Sequence, residues 1–235
     1  MELLERAKQQ RWYHTLELGP GHVTDGWFDL RPAVRHYGLP DDMTGLRALE
    51  VGTWDGFWAF EMERRGAKVT ALDLDDERDL DWPPRRHAEA ARNVRRGDGF
   101  RLAAEILHSD VERLELSIYD ATPANTDGPF DVVLCGSVLI HLRDQLLALE
   151  RIAALTKGTC IVAEEYSRTA DLVPFPVARF RADRPGTVVF WQPSRRTWRR
   201  MLWTAGFDAV SEHARFTMRT TDGAAIRHVV LHARR

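Results

Sequence analysis

Residues 46–60 constrain this chain more than any other stretch: they read as strand, glycine turn, helix. Ala48, Leu49 and Val51 suit a strand buried on both faces. Gly52 and Gly56 bracket a turn that needs close backbone approach or dihedrals that side chains resist. Phe57 and Phe60 then fall on one face of a helix. Val69, Ala71 and Leu72 form a second buried strand that ends in Asp73. In a doubly wound sheet, an acid at this place, roughly 20 residues past the turn, bonds a ribose hydroxyl.

The spacing decides between nucleotides. A dinucleotide turn reads G-x-G-x-x-G, so that a pyrophosphate rests on the helix N-terminus. Here Trp54 stands where the second glycine would be, and the pattern is Glu50-x-Gly52-Thr53-Trp54-x-Gly56. An acid at the strand end repels a pyrophosphate but serves a cationic ligand. S-adenosylmethionine carries an ammonium and a sulfonium. The stretch resembles motif I of the class I S-adenosylmethionine-dependent methyltransferases, and Asp73, followed by Leu74, resembles their ribose-binding acid. The competing reading is an ordinary βαβ unit with a tight turn.

The 235 residues suffice for one α/β domain with a good core. A net charge of -2 gives no global basic field for nucleic acid. Cys135 and Cys160 lie in apolar strand-like runs and read as small buried hydrophobes, not as a disulfide or metal pair. The first residues lack the apolar core of a signal peptide, and no apolar run approaches membrane-spanning length. We therefore expect a cytoplasmic protein with no membrane partner.

Residues 1–45 form an arm ahead of the main domain, 46–235. The arm holds Trp12, Tyr13, His14 and Trp27 between turn residues. It either packs its aromatics on the sheet or serves as a lid over cofactor and acceptor, and the two are compatible. Asp75, Asp76, Glu77, Asp79 and Asp81 lack the fixed spacing of a calcium loop and read as a solvated stretch, with Asp75 and Asp76 close enough to Asp73 to help a ribose. Leu114, Leu116 and Ile118 alternate as a third strand, running into Asp120 and Ala121. Residues 130–135 make a fourth, opening into Gly136, Ser137 and then His141. A helix with Leu146, Leu149 and Ile152 follows, capped by Gly158, and residues 159–164 form strand five. Residues 166–193, rich in proline and aromatics, read as a cap over the strand ends. Ser194 N-caps a helix that stops at Gly206. Residues 207–210, 215–219 and 226–232 read as the last strands, with an Asp222-Gly223 hairpin turn. Together these predict a Rossmann-like, seven-stranded class I methyltransferase fold with an antiparallel last strand.

The arm from Trp12 to Asp29, the glycine turn and the run from Gly136 to His141 are similar to the family of bacterial tRNA wobble-uridine carboxymethyltransferases and their uncharacterised relatives. The likeness covers most of residues 11–165. It implies cofactor contacts at Glu50, Gly52, Thr53, Trp54, Gly56, Asp73, Leu74, Gly136 and Ser137, and an adenine site at Asp120 and Ala121. The tRNA enzymes read a carboxylated cofactor partly through lysines ahead of motif I; this chain has only Lys8 there. It is also shorter. Methyl transfer from ordinary S-adenosylmethionine is what the comparison leaves, with a small-molecule acceptor ahead of tRNA, and a homodimer allowed.

Methyl transfer from a sulfonium is an in-line displacement, so holding acceptor and methyl in line supplies much of the rate. An oxygen acceptor also loses a proton, for which histidine is the usual base. His141, just past the fourth strand, stands at the expected mouth of the site and matches a histidine of the resembled family. Its ordinary pKa is near about 6.5. A locally hydrogen-bonded histidine at a helix start is the alternative. His14 and His22 are weaker choices. Trp12, Tyr13, His14 and Trp27 are candidates for the acceptor wall. Glu164 and Glu165 are candidates for an acceptor hydroxyl or a metal, or are simply two loop-facing acids. We predict no resident metal, and a non-catalytic cofactor-binding protein is the alternative outside enzymes.

Overall fold

The computed structural model describes residues 2–89, 95–184 and 188–235. Helix α1 (Glu2–Gln9), a hairpin of β1 (Glu17–Gly19) and β2 (His22–Val23), and a 3-10 helix (Arg31–His36) precede the sheet. Strands and helices then alternate: β3 (Arg47–Val51), α2 (Phe57–Arg64), β4 (Lys68–Asp73), α3 (Gly97–Leu107), β5 (Glu112–Glu115), β6 (Phe130–Gly136), α4 (Gln145–Leu155) and β7 (Thr156–Glu165). The chain closes with α5 (Arg168–Asp171), β8 (Ala178–Phe180), β9 (Trp191–Pro193), α6 (Arg195–Thr204), β10 (Ala209–Arg219) and β11 (Ala225–Arg234). The central sheet has seven strands in the order β10-β11-β7-β6-β3-β4-β5. β11 runs antiparallel to both neighbours, and the strands from β7 to β5 are parallel. This is the fold expected from the sequence.

Period-two alternation feeds two cores. Ala48, Val132, Leu134, Ile161, Ala163 and Val230 point to a face covered by α2, α3 and the aromatic arm. Leu49, Val133, Cys135, Cys160, Val162 and Leu231 point to the face covered by α4 and α6. Both cysteines are free and buried. Trp12 and Phe28 of the arm belong to the first core, so the arm is packed into the domain and does not stand apart from it. Among the described residues no helix is long and apolar enough to cross a membrane.

Three local expectations are corrected. Residues 207–219 do not carry two strands: β10 is one strand with a register shift between Glu212 and Ala214, because its pairing with β11 continues across the polar stretch. Gly158 does not cap α4. It lies inside β7, where an added Cβ would strike the Asp131 carbonyl. The third strand is shorter than its alternation suggests, since Ile118–Asp120 turn into a 3-10 helix capped by Ser117. Ser194 does cap α6, accepting the Thr197 N–H at 3.1 Å, and Gly206 follows that helix at φ +107°. The cap carries α5, β8 and β9; residues 185–187, with Pro185, and residues 90–94 of the polar stretch lie outside the described residues.

Trp198 ties α6 to the sheet. It is fully buried, and its indole N–H donates to the Glu165 carbonyl at 3.0 Å. Trp198→Ala removes a large buried ring and leaves that carbonyl without its donor. We expect a loss of about 3–5 kcal/mol in denaturant unfolding; a change below about 1 kcal/mol would show that α6 contributes little to the core.

Candidate active site

The chain leaves β3 for β4 and β5, then returns to place β6 on the other side of β3. The β3–β6 boundary is thus the topological switch point, where ligands of open α/β sheets bind outside the strand ends. Gly52 opens the first loop there at φ +78°, and its N–H donates to the Leu72 carbonyl at 2.7 Å. A Cβ on Gly52 would collide with Val138 of the β6 loop, so the two loops touch only because residue 52 is glycine. Gly56, at φ +92°, starts α2; a Cβ there would lie 2.5 Å from the Phe60 ring and 2.7 Å from that of Phe100.

Buried carboxylates brace this loop. Glu50 accepts the Thr53 hydroxyl at 2.6 Å and the Ala59 N–H at 2.8 Å, beneath the turn, and burial pushes its pKa up to about 8. Asp73 accepts the Trp54 N–H at 2.7 Å on one oxygen and the Leu74 N–H at 2.8 Å on the other. Trp54 is held at φ +48°. Its indole lies between the Tyr13 ring, stacked at 3.9 Å, and the Arg96 guanidinium, 3.7 Å from its centroid. Arg96 also stands 3.6 Å from Asp73. Asp75 is turned away toward Arg101, Arg113 and Arg95, and Asp76 pairs with Arg78.

The arm is fastened by Asp55. One of its oxygens accepts the Tyr13 N–H at 2.6 Å and the His14 N–H at 2.9 Å. Burial raises Asp55 to about 6 and Tyr13 to about 12. His14 is buried near Phe57; burial first, and the Arg96 charge second, lower it to about 3. Its Nδ1 has no partner among the described residues. Trp27 is half-exposed beside Tyr13. Trp12 is buried below the arm, its indole N–H on the Ala7 carbonyl. His22 is exposed on β2.

On the other side of the crevice, Gly136 ends β6 and Ser137 follows at φ +56°. Glu164 lies beneath that loop, accepting the Val138 and Leu139 N–H groups at 2.8 Å each on Oε1. Its Oε2 has no partner among the described residues, and burial pushes its pKa up to about 8. Glu165 serves the cap through Gln192. The two acids point to opposite faces of β7, and no group of three metal-ligating side chains occurs among the described residues. His141 ends a 3-10 turn, Leu139–His141, with Nδ1 3.2 Å from the Val188 carbonyl. Burial lowers it to about 4. Ala121 is buried and Asp120 exposed past the 3-10 turn after β5.

Residues 26–212 match the methyltransferase domain family. The chain belongs to that family. This methyltransferase is 31% identical over 116 residues to the ubiquinone biosynthesis O-methyltransferase of Alkalilimnicola ehrlichii, a match covering 49% of this chain and 39% of the relative. The chain thus matches well under half the length of that curated relative. Its fold is similar to the SAH-bound N-terminal domain of EvdMO1, with a TM-score of 0.70, 19% identity, and coverage of 99% and 95% of the two chains. It is also similar to Burkholderia thailandensis 1,6-didemethyltoxoflavin-N1-methyltransferase, with a TM-score of 0.56, 18% identity, and coverage of 87% and 77%. Its fold is also similar to magnesium protoporphyrin IX methyltransferase from Synechocystis PCC 6803, solved with bound SAM, with a TM-score of 0.53, 15% identity, and coverage of 82% and 72%.

The crevice fits that donor. It has a glycine loop without a lysine, an acid after β4 with lone pairs to spare, and buried acceptors on both sides. Asp55 and Arg96 were not legible as site residues. Asp55 sits inside the glycine motif and could have been noticed; Arg96 carries no local signal.

Two expectations follow. Asp55→Ala orphans two buried N–H groups and should cost about 2–4 kcal/mol, with faster hydrogen exchange at Tyr13 and His14; unchanged exchange would show the arm to be held by its aromatics alone. Glu164 is raised in the folded state, so the stability linked to its proton is complete below its unfolded value of 4.5 and is lost as pH rises through about 8. Glu164→Gln keeps an acceptor for Val138 and Leu139. Its melting temperature should fall less than the wild type's across that window; parallel curves would place the titration elsewhere.

Proposed function

We propose that the chain transfers the methyl group of S-adenosylmethionine to an oxygen of a hydroxylated small molecule, such as a sugar or secondary metabolite, with His141 as general base. What supports the reading is His141 on the 3-10 turn just after β6, where burial holds its pKa below the ordinary imidazole value. Its Nδ1–H is engaged by the Val188 carbonyl, which leaves Nε2 as a bare acceptor. The donor supplies an electrophilic methyl when bound. Glu50, Gly52 and Gly56 shape the loop on the donor side, Asp73 and Leu74 take the ribose, and Asp120 and Ala121 take the adenine. Tyr13, His14 and Trp27 wall the acceptor from solvent, the arm of residues 1–45 acting as the lid on the 46–235 domain. Trp12 supports that wall from beneath.

The similar proteins support a small acceptor, and the curated relative supports an oxygen one, whereas the toxoflavin enzyme is named for a nitrogen. One is named for ubiquinone O-methylation, another was solved in the presence of SAH and D-fucose, and a third with bound 1,6-didemethyltoxoflavin. The arginines of α6 speak against tRNA. Arg195 is paired with Asp171 and Glu212, and Asp208 lines the same groove as Arg196, Arg199 and Arg200, so the face is not of one sign.

Titration calorimetry with S-adenosylmethionine and S-adenosylhomocysteine, then labelled-methyl transfer over sugars, phenols and tRNA, tests the reading. Label in tRNA alone, or in none of these with both ligands binding, would overturn the acceptor class. His141→Ala should lower turnover roughly 100- to 10,000-fold with little change in donor affinity. Because burial lowers His141 to about 4, the acid limb of the rate profile should lie near that value and not near an ordinary imidazole's. Near-normal turnover in the variant would assign His141 to structure.

A further inference from the structure

Ser137 is the first residue beyond β6, at the lip of the crevice, and its backbone is in the left-handed region at φ +56°. A residue with a Cβ resists that conformation, and such residues concentrate at functional sites. Its N–H is fixed on the Ala163 carbonyl at 2.8 Å. Its Oγ lies 2.8 Å from Nε2 of His228, which arrives from β11, 91 residues later. His228 is 1% exposed, and its ring lies 5.2 Å from that of Phe216. Its Nδ1 lies 3.2 Å from the Ile226 carbonyl.

This chain of contacts fixes every proton in it. A carbonyl only accepts, so Nδ1 carries the imidazole hydrogen and Nε2 is a bare acceptor. The Ser137 hydroxyl therefore donates to Nε2, and Oγ presents lone pairs and no hydrogen to anything else. Burial lowers His228 to about 4, which keeps this tautomer at neutral pH. Glu164 lies beneath the same loop, with one carboxyl oxygen on the Val138 and Leu139 N–H groups. A hydroxyl oxygen so prepared welcomes positive charge or a donor and repels an anion. Nothing in the proposed chemistry uses His228.

We propose that His228 is a positioning residue that makes Ser137 Oγ a dedicated acceptor for the cationic end of the methyl donor, either its ammonium group or its sulfonium-bound methyl. The inference rests on the donor and not on the identity of the acceptor substrate. Titration calorimetry of S-adenosylmethionine and S-adenosylhomocysteine against the wild type, Ser137→Gly, His228→Phe and His228→Gln tests it. Glycine adopts φ +56° freely, so Ser137→Gly deletes the hydroxyl without forcing the loop to move. A charge-assisted bond predicts a loss of roughly 10- to 100-fold in donor affinity. An equal loss for both ligands assigns Oγ to the ammonium, which both carry; a loss for S-adenosylmethionine alone assigns it to the sulfonium end. His228→Phe should weaken binding in the same pattern, by about 3- to 10-fold. His228→Gln, whose amide oxygen can accept in place of Nε2, should return to within about twofold. In nitrogen NMR of the ligand-free protein at neutral pH, Nε2 of His228 should appear unprotonated. Should His228→Phe not fold, Ser137→Gly and the nitrogen shifts decide alone. Wild-type affinity in Ser137→Gly, or a protonated Nε2, overturns the proposal. A wild type that binds neither ligand removes the donor reading and this proposal with it.

Discussion

One oxygen of Asp55 holds the N–H groups of both Tyr13 and His14, and much of the site depends on that clasp. Those two donors are buried and pair with no strand of the main sheet at that point, so without the carboxylate they would be dry and unpaired. Once they are fixed, the Tyr13 ring lies on Trp54 and His14 beside Phe57. The next turn of the arm then bridges Phe28 to both His14 and Thr220, which carries it to the β10–β11 hairpin. Asp55 and Phe28 together thus connect the glycine turn, the arm and the β10–β11 hairpin.

The acids around the crevice share a physical pattern. Glu50, Asp73 and Glu164, at the ends of β3, β4 and β7, take hydrogen bonds from backbone N–H groups of α2, of the loop after β3 and of the loop after β6, and Asp55 takes them from the arm. Backbone dipoles satisfy a carboxylate without adding net charge. Burial consequently dominates, and Glu50, Asp55 and Glu164 are all raised. A cation placed beside these acids draws them back to the charged form, whereas a phosphate pushes them further toward the neutral one. A donor with an ammonium and a sulfonium suits them; a dinucleotide does not.

The elements legible in the sequence were those whose signal is local. Buried runs such as 130–135 and the glycine turn are read over a few residues, and parallel pairing follows from the alternation of strands with helices. Ser194 and Gly206 were readable because a cap is a one-residue event. The failures share the opposite character. Gly158 was mistaken for a cap because its true constraint, contact with Asp131, comes from a neighbouring strand. β10 was divided because a bulge mimics a break in periodicity. Glu164 and Glu165 suggested a pair, although adjacent strand residues face opposite ways. Arg96 and His228 reach the site from 42 and 91 residues beyond Trp54 and Ser137, and no spacing rule covers such distances.

Trp54 shows how these constraints combine. Its strained backbone is held by the Asp73 carboxylate, and its two faces are covered by Tyr13 from the arm and Arg96 from the segment after β4. Arg96 also sits beside Asp73, so a ribose placed on that acid must share it with a guanidinium or move it. Moving Arg96 uncovers one face of Trp54, and the stack that fixes Tyr13 then rests on a less confined ring. Tyr13 is in turn next to His14 on the Asp55 clasp. A ligand at Asp73 would therefore be felt by the packing of the arm, since the same indole touches Tyr13 and Arg96 at less than 4 Å on each side.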